Sequence, residues 1–81
     1  MGGNTLKNIV GIRFRRLGKI YFFNPQYLIL KKDDTVIVDT DDGEEIGKVA
    51  IPNRSLDEQK VQKELKKVIR LANERDLKHY E

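Results

Sequence analysis

The chain has no cysteine and no tryptophan, a single histidine, and only two prolines among its 81 residues. The missing cysteines exclude disulfide reinforcement, thiolate metal sites and any iron–sulfur ligand within this chain. His79 has no Cys, His or Ser partner near it in sequence, so no local nucleophile–base pair or metal cage can be assembled around it. It reads as a surface residue near a helix end, where positive charge is favourable. No apolar run approaches the ~18 residues of a membrane helix. Met1 to Asn8 lacks the apolar segment of a signal peptide. Met1-Gly2-Gly3 begins like a myristoylation site, but the position that needs Ser or Thr is Leu6. A cytoplasmic location is the expectation.

Also missing is acid from the first 32 residues. Lys7, Arg13, Arg15, Arg16, Lys19, Lys31 and Lys32 fall there with no Asp or Glu. The next stretch reverses the sign: Asp33, Asp34, Asp39, Asp41, Asp42, Glu44 and Glu45 occur with no base among them. The net charge of +3 hides this segregation. Opposed potentials bear on partners more than on fold. A chain this short is a single domain that buries roughly 60% of its unfolded surface. Its stability must therefore come from packing, β hydrogen bonding or a partner.

What is present is β pattern. Val10, Ile12 and Phe14 alternate with Gly11, Arg13 and Arg15, predicting a half-buried strand over 8–15. Arg16-Leu17-Gly18 supplies a turn, and Lys19 to Phe23 returns as an aromatic, β-branched strand. Asn24-Pro25 ends it, and Tyr27, Leu28 and Leu30 cross irregularly, as a helical turn or an edge strand. Thr35 to Thr40 is a clear strand, and Asp41-Asp42-Gly43 is a tight-turn signal. Glu45 to Ile51 returns, with a bulge expected near Gly47, and Pro52 is expected to stop it. Val10, Ile12, Phe14, Ile20, Phe22, Val36, Val38, Val49 and Ile51 form the expected core.

Asn53 to Lys63 reads as loop or weak helix, with Ser55-Leu56-Asp57-Glu58 resembling a helix start. The tail is open. Val61, Leu65, Val68, Ile69 and Ala72 fall at helical spacing, which favours one helix from about 56 to 79. Val68-Ile69-Arg70-Leu71 fits a closing strand equally well, with Asn73 then capping a new helix through Asp76.

Three blocks in order, V-G-I-R-F-R-R-L-G-K-I-Y-F-F-N-P (10–25), V-I-V-D-T-D-D-G-E-E-I-G-K-V (36–49) and L-K-K-V-I-R-L-A-N-E-R-D-L (65–77), resemble the start of the YaaT (RicT) family. These are stage 0 sporulation-type bacterial proteins, grouped with the yeast PSP polymerase-suppressor proteins. The resemblance implies a cytoplasmic regulator that joins a small protein complex and assists an endoribonuclease in mRNA processing. It also implies that iron–sulfur binding belongs to a cysteine-rich region that this chain does not contain. It favours the closing strand near 66–72 and a helix from Asn73. The expected fold is thus mainly β (β+α), a small five-stranded SH3-like antiparallel barrel with a short C-terminal helix. Residues 1–7 would be a flexible lead-in, 8–72 the barrel, and 73–81 a helix opening a missing C-terminal region.

Arg13, Arg15, Arg16 and Lys19, with Tyr21 or Phe23 as stacking rings, are the expected site for a partner or for RNA phosphate. The bland alternative is a solvated face that protects a sheet edge. Asp41, Asp42 and Glu44 are either a soluble hairpin tip or a docking patch for a basic partner. Their spacing does not match a Ca²⁺ loop. The expectation is therefore a non-enzymatic protein–protein interaction domain with no cofactor, membrane or small-molecule substrate. Direct RNA binding through 13–19 is the alternative.

Overall fold

In a computed structural model of the chain, residues 6–14, 18–57 and 64–80 are described. Five strands and one helix follow in order: β1 Leu6–Arg13, β2 Ile20–Phe23, β3 Thr35–Thr40, β4 Gly43–Asp57, β5 Val68–Leu71 and α1 Glu74–Tyr80. They form one antiparallel sheet in the order β2-β1-β4-β3-β5. The sheet is not closed, which corrects the expected barrel. β2 and β5 are its edges, and among the described residues their ends meet at an isolated parallel bridge between Asn24 and Lys67.

One face carries the core. Val10, Ile12 and Phe14 meet Phe23, Val36, Val38, Val49 and Val68, with Leu30 sealing the cluster and Leu28 packed against it. Each fully buried aliphatic side chain stabilises by about 1.5–3 kcal/mol. The Phe14 ring lies 5.9 Å from Phe23, edge-on, and 6.0 Å from Tyr21, tilted, arrangements that aromatic quadrupoles favour.

The return strand is out of phase with the expectation by one residue. A three-residue turn at 16–18 would set Arg15 opposite Lys19 and Ile12 opposite Phe22. The actual register sets Arg13 opposite Ile20, Ile12 opposite Tyr21, Gly11 opposite Phe22 and Val10 opposite Phe23. Residues directly opposite share a face, and a slip of one exchanges faces. Phe23 is therefore 5% exposed and in the core, while Phe22 and Ile20 lie on the other face, 44% and 37% exposed. Ile51 is likewise only half-buried.

β4 departs most from the sequence reading. It runs straight through Pro52 to Asp57, so Asn53–Asp57 is strand and Ser55 starts no helix. The β1–β4 register slips between Ile9 and Gly11 and again between Gly11 and Ile12. In each case β4 spends an extra residue, so Pro52 sits in a bulge, where a missing N–H breaks no ladder. No bulge occurs at Gly47, which pairs with Val36 in unbroken register. Its lack of a side chain serves packing instead: a Cβ there would collide with Ile12 Cγ2 and lie 3.3 Å from Phe14. At the other end β1 begins at Leu6, inside the expected flexible lead-in, and pairs with Asp57.

The tail resolves into strand and helix. β5 pairs with β3, Val36 opposite Leu71 and Ile37 opposite Arg70. Asn73 then caps α1: its Oδ1 accepts from Asp76 N–H at 2.9 Å, and Asp76 Oδ2 accepts from Asn73 N–H at 2.8 Å. This reciprocal box satisfies two backbone donors at the helix start. Asp76 also holds Arg70 of β5, at 2.6 Å, which ties the helix to the sheet edge. Arg70 stays protonated above its ordinary range because Asp76 accepts its hydrogen bond.

Candidate functional site

The basic end of the sheet is built by two strand pairings and one turn. Arg13 is the last residue of β1, with Ile20 of β2 opposite on one side and Lys48 of β4 opposite on the other. Lys48 in turn faces Thr35, the first residue of β3. The Lys31–Asp34 turn is laid onto β4: Asp33 N–H donates to Val49 O, and Val49 N–H donates to Asp34 O, both at 2.8 Å. Asp34 Oδ2 accepts from Lys31 N–H at 2.8 Å and closes the turn. Asp33 takes φ of 74°, a left-handed conformation that Asp tolerates better than most residues. This turn carries Lys32 to the same end of the sheet.

The result is a cleft of about 290 Å³ whose walls include Arg13, Lys32 and Lys48, with Asp33 as its carboxylate and Phe14 and Ile20 among its apolar lining. The ion pairs among the described residues are Asp41–Lys66 and Arg70–Asp76, so none of the three cations is a member. Three cations around one carboxylate leave a net positive concavity that favours an anion. Of the residues expected to act here, Arg13 lines the cleft. Lys19 is exposed beside Ile20. Tyr21 leans on Phe14 and is half-exposed. Phe23 is buried and has no free face for stacking. Arg15 and Arg16 lie outside the described residues, as does the side chain of His79.

Lys32 and Lys48 escaped the sequence reading. Lys48 sits between Gly47 and Val49 as an ordinary outward residue of a strand. Only the β1–β4 pairing, across 35 positions, brings it to Arg13. Lys32 reads as polar turn material, and its place follows from the backbone bonds to Val49.

The acidic residues occupy the opposite end of β3. Thr40 pairs with Gly43, leaving Asp41 and Asp42 as the two turn residues. Thr40 Oγ1 donates to Gly43 O at 2.7 Å and accepts from Asp42 N–H at 3.2 Å, and Gly43 takes φ of 109°. Asp41, Asp42 and Glu44 are all exposed. Asp41 is paired with Lys66 at 2.8 Å. The Lys66 hydrogen bond, then its charge, holds the Asp41 carboxyl below its ordinary value, and Asp41 raises Lys66 in return. From Thr35 to Thr40 the strand advances about 17 Å at ~3.4 Å per residue, so the positive and negative ends are about that far apart.

No protein-family model matches the chain. No solved structure matches it. The stage 0 sporulation protein YaaT of Bacillus subtilis (strain 168) is 47% identical over 70 residues, which cover 86% of this chain and 26% of that protein. The chain thus spans about a quarter of that relative's length. The matched length takes in nearly all of the sheet, both charged ends and their connecting turns. By that identity the chain belongs to the YaaT family, as an N-terminal domain of it.

Proposed function

We propose that the domain is a non-enzymatic protein–protein docking module of a cytoplasmic regulator that assists an endoribonuclease in mRNA processing. The observation that carries this is the 47% identity to a sporulation protein over most of the chain. The spatial layout supports it: two oppositely charged ends and two sheet edges give separate surfaces for protein partners. The five strands and the Asn24–Lys67 bridge support an affinity with SH3-like barrels in open form. Iron–sulfur chemistry, if the whole protein has it, belongs to cysteines beyond this chain.

The test is a chimera. The matching domain of Bacillus subtilis YaaT is replaced by this chain, and sporulation, co-purified proteins and unprocessed transcripts are measured. Docking predicts that the chimera retains the same proteins as the parent and restores sporulation. A chimera that accumulates normally but retains none of them defeats the reading.

A second reading, RNA binding at the basic end, is favoured by the convergence of Arg13, Lys32 and Lys48 on one cleft. With about three phosphate contacts, the affinity for a single-stranded oligonucleotide should fall with a log–log salt slope near −2. Lys48→Glu should weaken it by at least tenfold. No anisotropy change with oligouridine at 20 mM salt removes this reading.

A further inference from the structure

The sheet has a second face, and its charge is of one sign where β1, β2 and β4 run side by side. Residues directly opposite share a face, and positions two apart along a strand return to it. Lys7, Ile9, Gly11 and Arg13 of β1 therefore lie together, turned away from the core residues Val10 and Ile12. The register sets neighbours beside them in rows across the strands. Ile20, Arg13 and Lys48 form the first row, and Phe22, Gly11 and Ile51 the second. Ile9 with Arg54 follows, then Lys7 with Leu56. Asn53 marks the other side of β4: its Nδ2 donates to Leu28 O at 2.9 Å, and its Oδ1 accepts from Leu30 N–H at 2.6 Å. Arg54, one residue on, thus points away from the core side.

The second row is apolar and dense. Gly11 has no side chain, and Ile20 and Ile51 close over it: a Cβ there would lie 2.8 Å from Ile20 Cγ2 and 2.9 Å from Ile51 Cβ. Phe22 completes the row, and it and Ile20 keep much of their surface in water. Cations stand on both flanks. Arg13 and Lys48 border the row on one side, Arg54 and then Lys7 on the other, and these four rows hold no acid. Neither ion pair of the described residues engages any of the four. Asp33 lies in the cleft at the Arg13 end, where Lys32 offsets it. Asp39 and Glu44 share this face only at the acidic turn end of β3 and β4, where Arg70 feels the charge of Glu44.

Dimension and charge together define the occupant. From Arg13 to Ile9, the partner of Arg54, β1 advances about 14 Å at ~3.4 Å per residue. An α-helix with its side chains is about 10–12 Å across, so one helix fits between the two lines of cations. Single-stranded RNA suits the face less well, because aliphatic Ile20 and Ile51 offer a base neither a stacking plane nor a hydrogen bond. A second copy centred here would set the four cations against four more, and like charges in apposition oppose docking. We infer that the outer face seats an acidic amphipathic helix of a partner protein, laid across the strands. Its apolar stripe rests on Phe22, Ile20 and Ile51, and its carboxylates reach Arg13 and Lys48 on one flank and Arg54 and Lys7 on the other. This rests on the protein-docking reading and assigns that reading a surface and a partner chemistry.

The probe is a synthetic peptide of about 16 residues, with a leucine stripe flanked on both sides by glutamates, titrated into the ¹⁵N-labelled chain. Amide shifts should concentrate at residues 9–13, 20–22, 48–51 and 54. Lysine in place of every glutamate of the peptide should weaken binding at least tenfold. Arg13→Glu with Arg54→Glu should do the same while moving the thermal midpoint by under about 3 °C, since both side chains are exposed. If that pair unfolds the chain, Arg13→Gln with Arg54→Gln replaces it, with at least a threefold loss expected. Tyr27 and Ile29, 89% and 85% exposed on the segment that Asn53 clamps, supply the control. Serine at both should leave the affinity unchanged. Absence of binding, shifts centred elsewhere, equal affinity for the lysine peptide, or indifference to the arginine substitutions would each overturn the assignment. So would self-association through this face in sedimentation, or shifts here with oligouridine and none with the acidic peptide. The chimera separates the two levels. If it still retains its partners with Arg13→Glu and Arg54→Glu, docking stands and this surface falls; if the unsubstituted chimera retains none, docking itself falls.

Discussion

Replacing Gly47 with alanine tests the packing of the sheet at its tightest point. The backbone register there is unbroken, and Gly47 is not among the glycines with positive φ. Alanine meets no conformational barrier and would by itself stabilise by about 0.4–1 kcal/mol through the unfolded chain. Space is the obstacle. The new methyl would overlap Ile12 Cγ2, with Phe14 Cε1 3.3 Å away and Arg13 O 3.4 Å away. Ile12 is fully buried and cannot swing aside without displacing the rest of the core. Overpacking of this kind costs about 1–3 kcal/mol, and the closeness of the overlap puts Gly47→Ala near the top of that range. After the entropic gain, the net loss is about 2 kcal/mol. At ~2.1 cal/mol/K per residue the unfolding entropy of this chain is about 170 cal/mol/K, so the midpoint should drop by about 12 °C. Calorimetry or thermal circular dichroism measures it. The decisive comparison is the cycle with Ile12→Ala, run in sulfate to keep the weaker variants folded. With Ile12 truncated the added methyl has room, so its cost should shrink to under about 0.5 kcal/mol, a coupling of at least about 1.5 kcal/mol. A midpoint change below about 3 °C for Gly47→Ala, or strict additivity in the cycle, refutes the argument.

Three further outcomes follow from other parts of the molecule. Asn73→Ala removes one half of the capping box and should lower stability by about 1 kcal/mol, with amide exchange accelerating first in α1. Asn53→Ala leaves Leu28 O and Leu30 N–H without partners and should cost about 2 kcal/mol in urea unfolding, with ¹⁵N relaxation showing new motion at 26–31. Asp41, lowered by Lys66, should titrate below its ordinary 3.8 in an NMR pH series. Lys66, raised by Asp41, should titrate above 10.5. The linkage signs follow. Asp41's contribution is present above its unfolded value and lost as pH falls through the folded one. Lys66's is fully present below its unfolded value and lost as pH rises through the folded one. Asp41→Asn should bring Lys66 back toward 10.5; an unchanged Lys66 would contradict the pair.

What the sequence made legible was local. Thr35–Thr40 alternates cleanly and ends at Asp41-Asp42-Gly43, and both strand and turn are where that pattern puts them. Asn73 and Asp76 stand three apart because a helix start needs that spacing, and they make the predicted box. Periodicity could not separate strand from helix at Val68–Leu71, since short apolar runs fit both periods; the family likeness chose the strand. Errors arose where a distant partner decides. Pro52 normally ends a strand, but β1 carries β4 past it by tolerating a bulge. Phe22 and Phe23 differ by one residue, and the register across the β1–β2 connection settled which was buried. Lys48 gains its meaning only from Arg13 across the sheet. Tyr27 and Ile29 carry no periodic signal at all, and their exposure follows from hydrogen bonds to Asn53 and Val68.

The strand order has a consequence for how the chain reaches this state. β1–β2 and β3–β4 are hairpins whose strands are neighbours in sequence, so each can form within microseconds. Their union is different: β1 must find β4, and even the nearest pairing of that seam, Arg13 with Lys48, closes a loop of about 35 residues before any of it is rewarded. Joining the two hairpins is thus the slow step, and the domain should fold on the millisecond-to-second scale of nonlocal β topologies. Substitutions along the β1–β4 seam, Gly47 and Ile12 among them, should slow folding. Those at the Asp41–Gly43 turn and in α1 should leave the folding rate nearly alone and quicken unfolding. The same seam would set how long each newly made chain exposes two unpaired sheet edges to its neighbours.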